Sequence, residues 1–374
     1  MKASDVDIDY QRTEHVVGHA FQTITKWHSF WDPRILLNPL RPFVQGYYGR
    51  VINSWVQQQL DMRYAELHED EEANLSSQKV ERPKSIIGLA LQAYAQNGLT
   101  GSSKADTPAR LDKQFARTAT HQIRLFLFAG NDSTASTIVF AYHLLFRHPD
   151  VLAKMRKEHD QVFGRDPTKA AERLRSEPAL LNQCHYTLAV TKETLRIYPP
   201  ASAMRQGQPG VSIVGPDGRC YPTENLATVM LHIGVQYNPR IWPRPLEFIP
   251  ERWLAAPGDE LYQPMSGAWR PFEVGPRACI GQTLSLIELR TVLILTARTY
   301  EISPAYEEWD EIQERKMTWF RRVAQRIGLT GSKIQTVNGS RVFQTERAGT
   351  HPSAGYPCRV RLTQQHEEAH STLP

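Results

Sequence analysis

Cys279 lies in the stretch PFEVGPRACIG, Pro271 to Gly281, fenced by glycines, a proline and an arginine. Its three companions, Cys184, Cys220 and Cys358, stand far apart with no C-x-x-C pair, so they read as small buried hydrophobes and not as a disulfide or zinc framework. Cys279 differs because Gly275 and Gly281 open the backbone to close approach, Pro276 stiffens the turn, and Arg277 sets a fixed positive charge two residues away. The residues that follow open a helix, whose N-terminal N–H groups favour an anion such as a thiolate. The arrangement suits a thiolate metal ligand against a flat prosthetic group. Two other sets of residues invite chemistry. Glu193 and Arg196, three apart in KETLR, share one helical face; taken alone they read as a surface ion pair worth well under about 1 kcal/mol. AGNDST, Ala129 to Thr134, puts a glycine and an aspartate into an apolar helical run, where the glycine alone costs about 1 kcal/mol relative to alanine. Its plain reading is a kink with a capped polar group; its functional one is a gap of small residues beside an acid and an alcohol.

Large elements must carry these residues. The proline-free segment from Arg110 to Arg147 is apolar on more than one face, which predicts a long helix through the interior. Pro149 ends it and suits the first turn of the next helix, which closes near Gly164. A further helix stops before Pro199 and Pro200. VSIVGPDGRCYP predicts two short strands about a Pro-Asp-Gly turn, followed by the apolar LATVMLHIG, and short strands cluster between Gly210 and Gly234. After proline-rich coil and the cysteine stretch, LSLIELRTVLILTARTY predicts an amphipathic helix. The fold class is mainly α with minor β, with no repeat or low-complexity block, so residues 1–374 read as one domain whose last residues, HEEAHSTLP, fray.

Composition bounds the rest. With 374 residues and 41% hydrophobic content there is material for a large core. The net charge of +5 is spread among acidic residues without basic runs, which argues against nucleic acid as a partner. The N-terminus lacks an apolar run of signal length, and TVLILTA is too short to span a bilayer.

The pattern F-x-x-G-x-R-x-C-x-G, present as Phe272, Gly275, Arg277, Cys279 and Gly281, resembles the haem-binding loop of cytochromes P450. In the order that family shows, Glu193-x-x-Arg196 resembles its K-helix pair, Arg252 in FIPERW the arginine that completes the charged triad, and Ala129, Gly130 and Asp132 its I-helix box. HPDVLAKMRKEHDQVFG resembles the J helix, and GAWRPFEVGPRACIGQ and HPSAGYPCRVRL are similar to filamentous-fungal P450s of secondary metabolism, including sterigmatocystin-pathway relatives. The resemblance implies a haem-thiolate monooxygenase that inserts one oxygen atom of O2 into a lipophilic small molecule. Cys279 would ligate haem b, Asp132 with Ser133 or Thr134 would relay protons, and Glu193, Arg196 and Arg252 would form a buried structural network. Arg205 sits where the family often places an arginine near a haem propionate, although alone it reads as exposed. Phe126, Phe128 and the PPASAM segment are candidate substrate walls, as readable as plain core. Electrons would come from NADPH through a cytochrome P450 reductase, at the cytosolic face of the endoplasmic reticulum membrane or in the cytoplasm.

Two departures stand out. Ser133 occupies the usual threonine position and lacks the methyl that stiffens the side chain. Cys279 also comes early: roughly a quarter of the family's domain, with the membrane anchor, the first helices and strands and the C helix with its W-x-x-x-R motif, is expected to be missing. The rival expectation is a truncated relative that binds no haem productively.

Overall fold

The computed structural model describes residues 16–28, 33–73, 87–91, 94, 111–262, 265, 267–317, 319, 334–337, 339–347 and 349–363; the fraying expected at 366–374 lies outside them. The chain divides into two compact units, Met1–Asn131 and Asp132–Pro374.

The first unit is helical. Helix α1 (Arg41–Ala73) carries Ile52, Val56 and Leu60 at four-residue spacing, so the three share one face and bury it with Ala20, Leu91, Ala119 and Ile123. Ala119 and Ile123 belong to helix α2 (Lys113–Arg147), the long helix expected from the sequence. It starts three residues later than expected because Asp112 caps it: the Phe115 amide donates to Asp112 Oδ2 at 2.9 Å. Arg124 Nη1 donates to Asn53 Oδ1 at 2.9 Å, tying α2 to α1. The expectation of an interior helix fails over this half, where Leu125 and Phe126 are 59% and 40% exposed.

From Thr134 to Leu145 α2 is mostly buried, and Phe146 and Arg147 at its end are exposed. Ala141, Tyr142, Leu144 and Leu145 enter the core of the second unit with Val151 and Met155 of helix α3 (Pro149–Phe163), Val190 and Ile197 of helix α5 (His185–Ile197), and Leu293 of helix α7 (Gln282–Thr296). The intervening helix α4 (Ala170–Ser176) buries Ala170 beside Phe163 and Ile294. As expected, Pro149 opens α3 and Gly164, at φ 79°, closes it. Glu158 of α3 caps α5 from outside, its carboxylate accepting from the amides of Tyr186 at 2.6 Å and Thr187 at 2.9 Å.

The strands form antiparallel pairs. β1 (Ala203–Gln206) pairs with β4 (Ala227–Met230), β5 (Tyr300–Pro304) with β8 (Cys358–Leu362), and β6 (Gln344–Arg347) with β7 (Gly349–Pro352). β2 (Ser212–Val214) and β3 (Cys220–Pro222) are the hairpin expected around Pro216-Asp217-Gly218, with Gly218 at φ 76°. LATVMLHIG splits into β4 and the short helix α6 (His232–Gln236), and helix α8 (Tyr306–Arg315) follows β5.

Two expectations need correction. The helix after the cysteine stops at Thr296: the Thr299 amide turns back to the Thr296 carbonyl at 3.1 Å, and the chain leaves for β5, where Tyr300 pairs with Leu362. Cys184 is buried as expected, but Cys220 and Cys358 are exposed, since the pairs carrying them have all residues of β2, β3 and β8 open to solvent.

Candidate active site

The cysteine segment is a tight loop. The Cys279 amide donates to the Phe272 carbonyl at 2.8 Å and the Ala278 amide to the Gly275 carbonyl at 3.0 Å. Gly275 takes φ 82°, open to glycine without strain, whereas Glu273 takes φ 59° and bears a cost there. Gly281 is the N-cap residue of α7, and a Cβ on it would stand 3.8 Å from Cys279 Sγ. The thiol is exposed, and Val274, Ile280 and Leu284 around it are 46%, 85% and 62% exposed. A single soft sulfur donor amid uncovered apolar side chains is the setting a flat iron macrocycle requires, so the residues present fit haem. Arg277 and Arg205 are both exposed; Arg205 Nη1 donates to the neighbouring Met204 carbonyl at 2.8 Å.

Behind the loop lies the charged network. The side chains of Glu193, Arg196 and Arg252 are 0% exposed, which overturns the surface-pair reading of Glu193 and Arg196. Glu193 Oε1 accepts from Arg196 Nη2 and Arg252 Nε, both at 2.9 Å, and Oε2 accepts from Arg196 Nε at 2.9 Å and Trp253 Nε1 at 3.0 Å. Arg196 donates further to the carbonyls of Gln236, Pro245 and Glu247, and Arg252 to those of Pro243 and Arg244. Burial lowers the Arg252 pKa, and the Glu193 carboxylate opposes that. Both guanidinium carbons stand over the Trp242 ring, 5.3 and 5.8 Å from its centre.

The network reaches the loop through two links. Gln236 Nε2 donates to the Arg196 carbonyl at 2.7 Å while its Oε1 accepts from the Arg270 amide at 2.9 Å. Trp269 Nε1 donates to the Lys192 carbonyl, and its ring meets Phe272 edge-on at 5.8 Å. Neither Gln236 nor Trp269 was singled out by sequence reasoning; no spacing rule ties them to the motif.

On α2, Thr134 is buried, and Ser133 and Asp132 are partly so. Ala129 and Gly130 are exposed members of the first unit. Asp132 Oδ1 accepts from His351 Nε2 of β7 at 3.1 Å, and a Cβ on Gly349 would collide with Asp132 Oδ2. The β6–β7 hairpin is pinned there: Thr350 donates through its amide to the Pro200 carbonyl and through its hydroxyl to the Pro199 carbonyl, both at 3.0 Å, and its own carbonyl accepts from Ser136 Oγ. His351 opens the stretch HPSAGYPCRVRL, but nothing in its spacing links it or Gly349 to Asp132.

A family model described as cytochrome P450 matches residues 6–326. The chain is 39% identical over 338 residues to the cytochrome P450 monooxygenase polC of Polytolypa hystricis, covering 90% of this chain and 55% of that protein. To the cytochrome P450 monooxygenase ptmG of Penicillium ochrochloron it is 32% identical over 331 residues, covering 86% and 54%. Among solved structures, the crystal structure of the cytochrome P450DA heme domain matches with a TM-score of 0.61 at 18% identity, covering 94% of this chain and 62% of that one. The chain thus spans little more than half the length of these curated relatives.

Proposed function

The chain belongs to the cytochrome P450 family, and from that premise we propose that it is a haem-thiolate monooxygenase, or part of one, inserting one atom of O2 into a lipophilic small molecule of fungal secondary metabolism. The observation that carries this reading is the exposed Cys279 thiol on a loop closed by its own amide and backed by a buried, fully bonded Glu193–Arg196–Arg252 network. When bound, haem supplies dioxygen binding and, through its thiolate ligand, the electron density that favours O–O cleavage. The residues act around that chemistry. Cys279 holds the iron, and Phe272, Gly275 and Gly281 shape the loop. Arg277 and Arg205 are the cations available to the propionates, and Asp132 with Ser133 or Thr134 holds and passes protons. In this reading both units form one P450 domain joined by α2. Electrons come from NADPH through a flavoprotein reductase docked on the cysteine side by charge. Among the described residues no helix is long and apolar enough to cross a membrane, and the proposed place of work is the cytosolic face of the endoplasmic reticulum membrane.

Oxygen uptake in the presence of NADPH and a fungal P450 reductase tests the activity. Uptake in the parent that Cys279→Ala abolishes is the expected result. Uptake identical in the two contradicts it and favours the rival, a relative that keeps this scaffold without productive haem.

A further inference from the structure

At the start of the cysteine stretch lies a second set of charges that the family motif does not contain. His232, the first residue of α6, is 3% exposed. Its Nδ1 stands 2.8 Å from the Ala201 carbonyl oxygen and its Nε2 stands 3.1 Å from Glu273 Oε2. Both partners are acceptors: a carbonyl oxygen has no proton to give, and neither does an ionised carboxylate. Glu273 is held ionised. Arg270 donates to its Oε1 through Nε at 2.9 Å and also through Nη2, and the Val274 amide adds a third bond at 3.2 Å. Burial on its own would raise the Glu273 carboxyl, yet the bonds from Arg270 and His232 outweigh it and bring it down to about 2. A neutral His232 in either tautomer would aim a lone pair at one of the two oxygens, and a flipped ring would turn carbon toward both. Only a ring protonated on both nitrogens satisfies the two contacts, and a charge in such a buried place needs the carboxylate beside it.

Glu273 also sits at φ 59°, a region that disfavours every residue except glycine and, to a lesser degree, asparagine and aspartate. A glutamate kept there implies that its carboxylate returns more than the backbone loses. Its neighbour Phe272 provides the carbonyl that receives the Cys279 amide, so fixing Glu273 fixes the point where the loop closes.

We propose that His232 works as a doubly protonated imidazolium which, with Arg270, grips Glu273 in a three-charge clamp that positions the cysteine loop. The clamp rests on the reading of Cys279 as the haem ligand only for its purpose, not for its existence. It places two cations and one anion at the entry to a loop whose working form is a thiolate. His232, Arg270 and Glu273 are positioning residues, acting through the Phe272 carbonyl. The carboxylate of Glu273 meets the His232 ring through Oε2 and Arg270 through Oε1.

Nitrogen-15 spectra of histidine-labelled, haem-free chain near neutral pH test the state of the ring directly, the His232 signals being assigned by their loss in His232→Gln. Two protonated ring nitrogens in the parent, with one proton lost in Glu273→Gln, is the expected result. A neutral ring in the parent overturns the clamp, whatever the haem does. In haem-loaded chain, His232→Leu is expected to convert at least half of the thiolate-type carbon monoxide band to the shorter-wavelength form, and His232→Gln, which keeps two N–H donors without the charge, to convert less. Equal bands in parent and both variants overturn the positioning role. Absence of any thiolate-type band in the parent contradicts the haem reading and leaves the nitrogen-15 outcome to decide the clamp alone.

Discussion

The two sides of the second unit treat charge in opposite ways. On the cysteine side, the Glu193, Arg196 and Arg252 side chains are fully buried, and the Glu193 carboxylate accepts from Arg196 on its own helix α5, from Arg252 and Trp253 in the turn Pro250–Trp253, and from the Ile249 amide just before that turn. On the α2 side, Asp132 keeps 15% of its side chain exposed and His351 keeps 28%, joined by one contact of 3.1 Å to a hairpin. The buried network cannot change without exposing an unpaired charge, so it holds geometry; the open pair can exchange partners at small cost, as the proton transfer proposed for Asp132 would require. The buried network and the open pair occupy separate elements, and α2 and α5 pack against each other in a core that α3 and α7 share.

The largest expected effect attacks the rigid side. Glu193→Ala leaves two buried guanidinium groups without their anion, and breaking such a pair costs about 3 to 5 kcal/mol, to be read from urea unfolding of the second unit. A loss under about 1 kcal/mol would put the triad back among surface pairs. Gly349→Ala attacks the other side: its new Cβ displaces Asp132 Oδ2, which is the end of a short side chain able to swing, so a loss of about 1 kcal/mol is expected together with loss of the His351 contact. Equal losses in the two variants would erase the contrast between the regions.

A pH experiment sharpens the same comparison. The Glu273 carboxyl is lowered from 4.5 to about 2 in the folded chain, so its contribution is present above the unfolded value and is lost as the pH falls from about 4.5 through about 2. Glu273→Gln is therefore expected to flatten the acid limb of the stability curve in that window, as followed by circular dichroism. Smallest in energy is a test of exposure by thiol reagents. Burial pushes the Cys184 thiol up to about 12, while Cys220, Cys279 and Cys358 are exposed, so three of the four thiols should react in the native chain and Cys184 only on unfolding. Rapid reaction of all four would show that the α4–α7 core is open.

What could be read from the sequence follows the same division. The Glu193–Arg196 pair and the cysteine loop were legible because their residues keep fixed spacings within single elements, three apart on α5 and within the stretch Phe272 to Gly281 on one loop, and because prolines and glycines mark the element ends at Pro149, Gly164 and Pro199. Burial of Glu193 was not legible from spacing, since a three-residue pair looks the same on a surface; it took the family resemblance to expect it. His232 and Glu273 lie 41 positions apart and meet through a turn at φ 59° that no glutamate advertises. His351 reaches Asp132 across 219 positions on a hairpin whose strands carry no clear alternation. The exposure of Cys220 and Cys358 escaped because a strand in a two-stranded pair has little to cover it, whereas a lone cysteine is ordinarily buried.

Every role proposed above depends on Cys279 as the ligand of a haem. The most direct measurement is the carbon monoxide difference spectrum of the reduced, haem-reconstituted chain beside Cys279→Ala. The account predicts a red-shifted, thiolate-type Soret band in the parent that the variant lacks. A parent that binds no haem, or shows only the shorter-wavelength band shared with the variant, would contradict it.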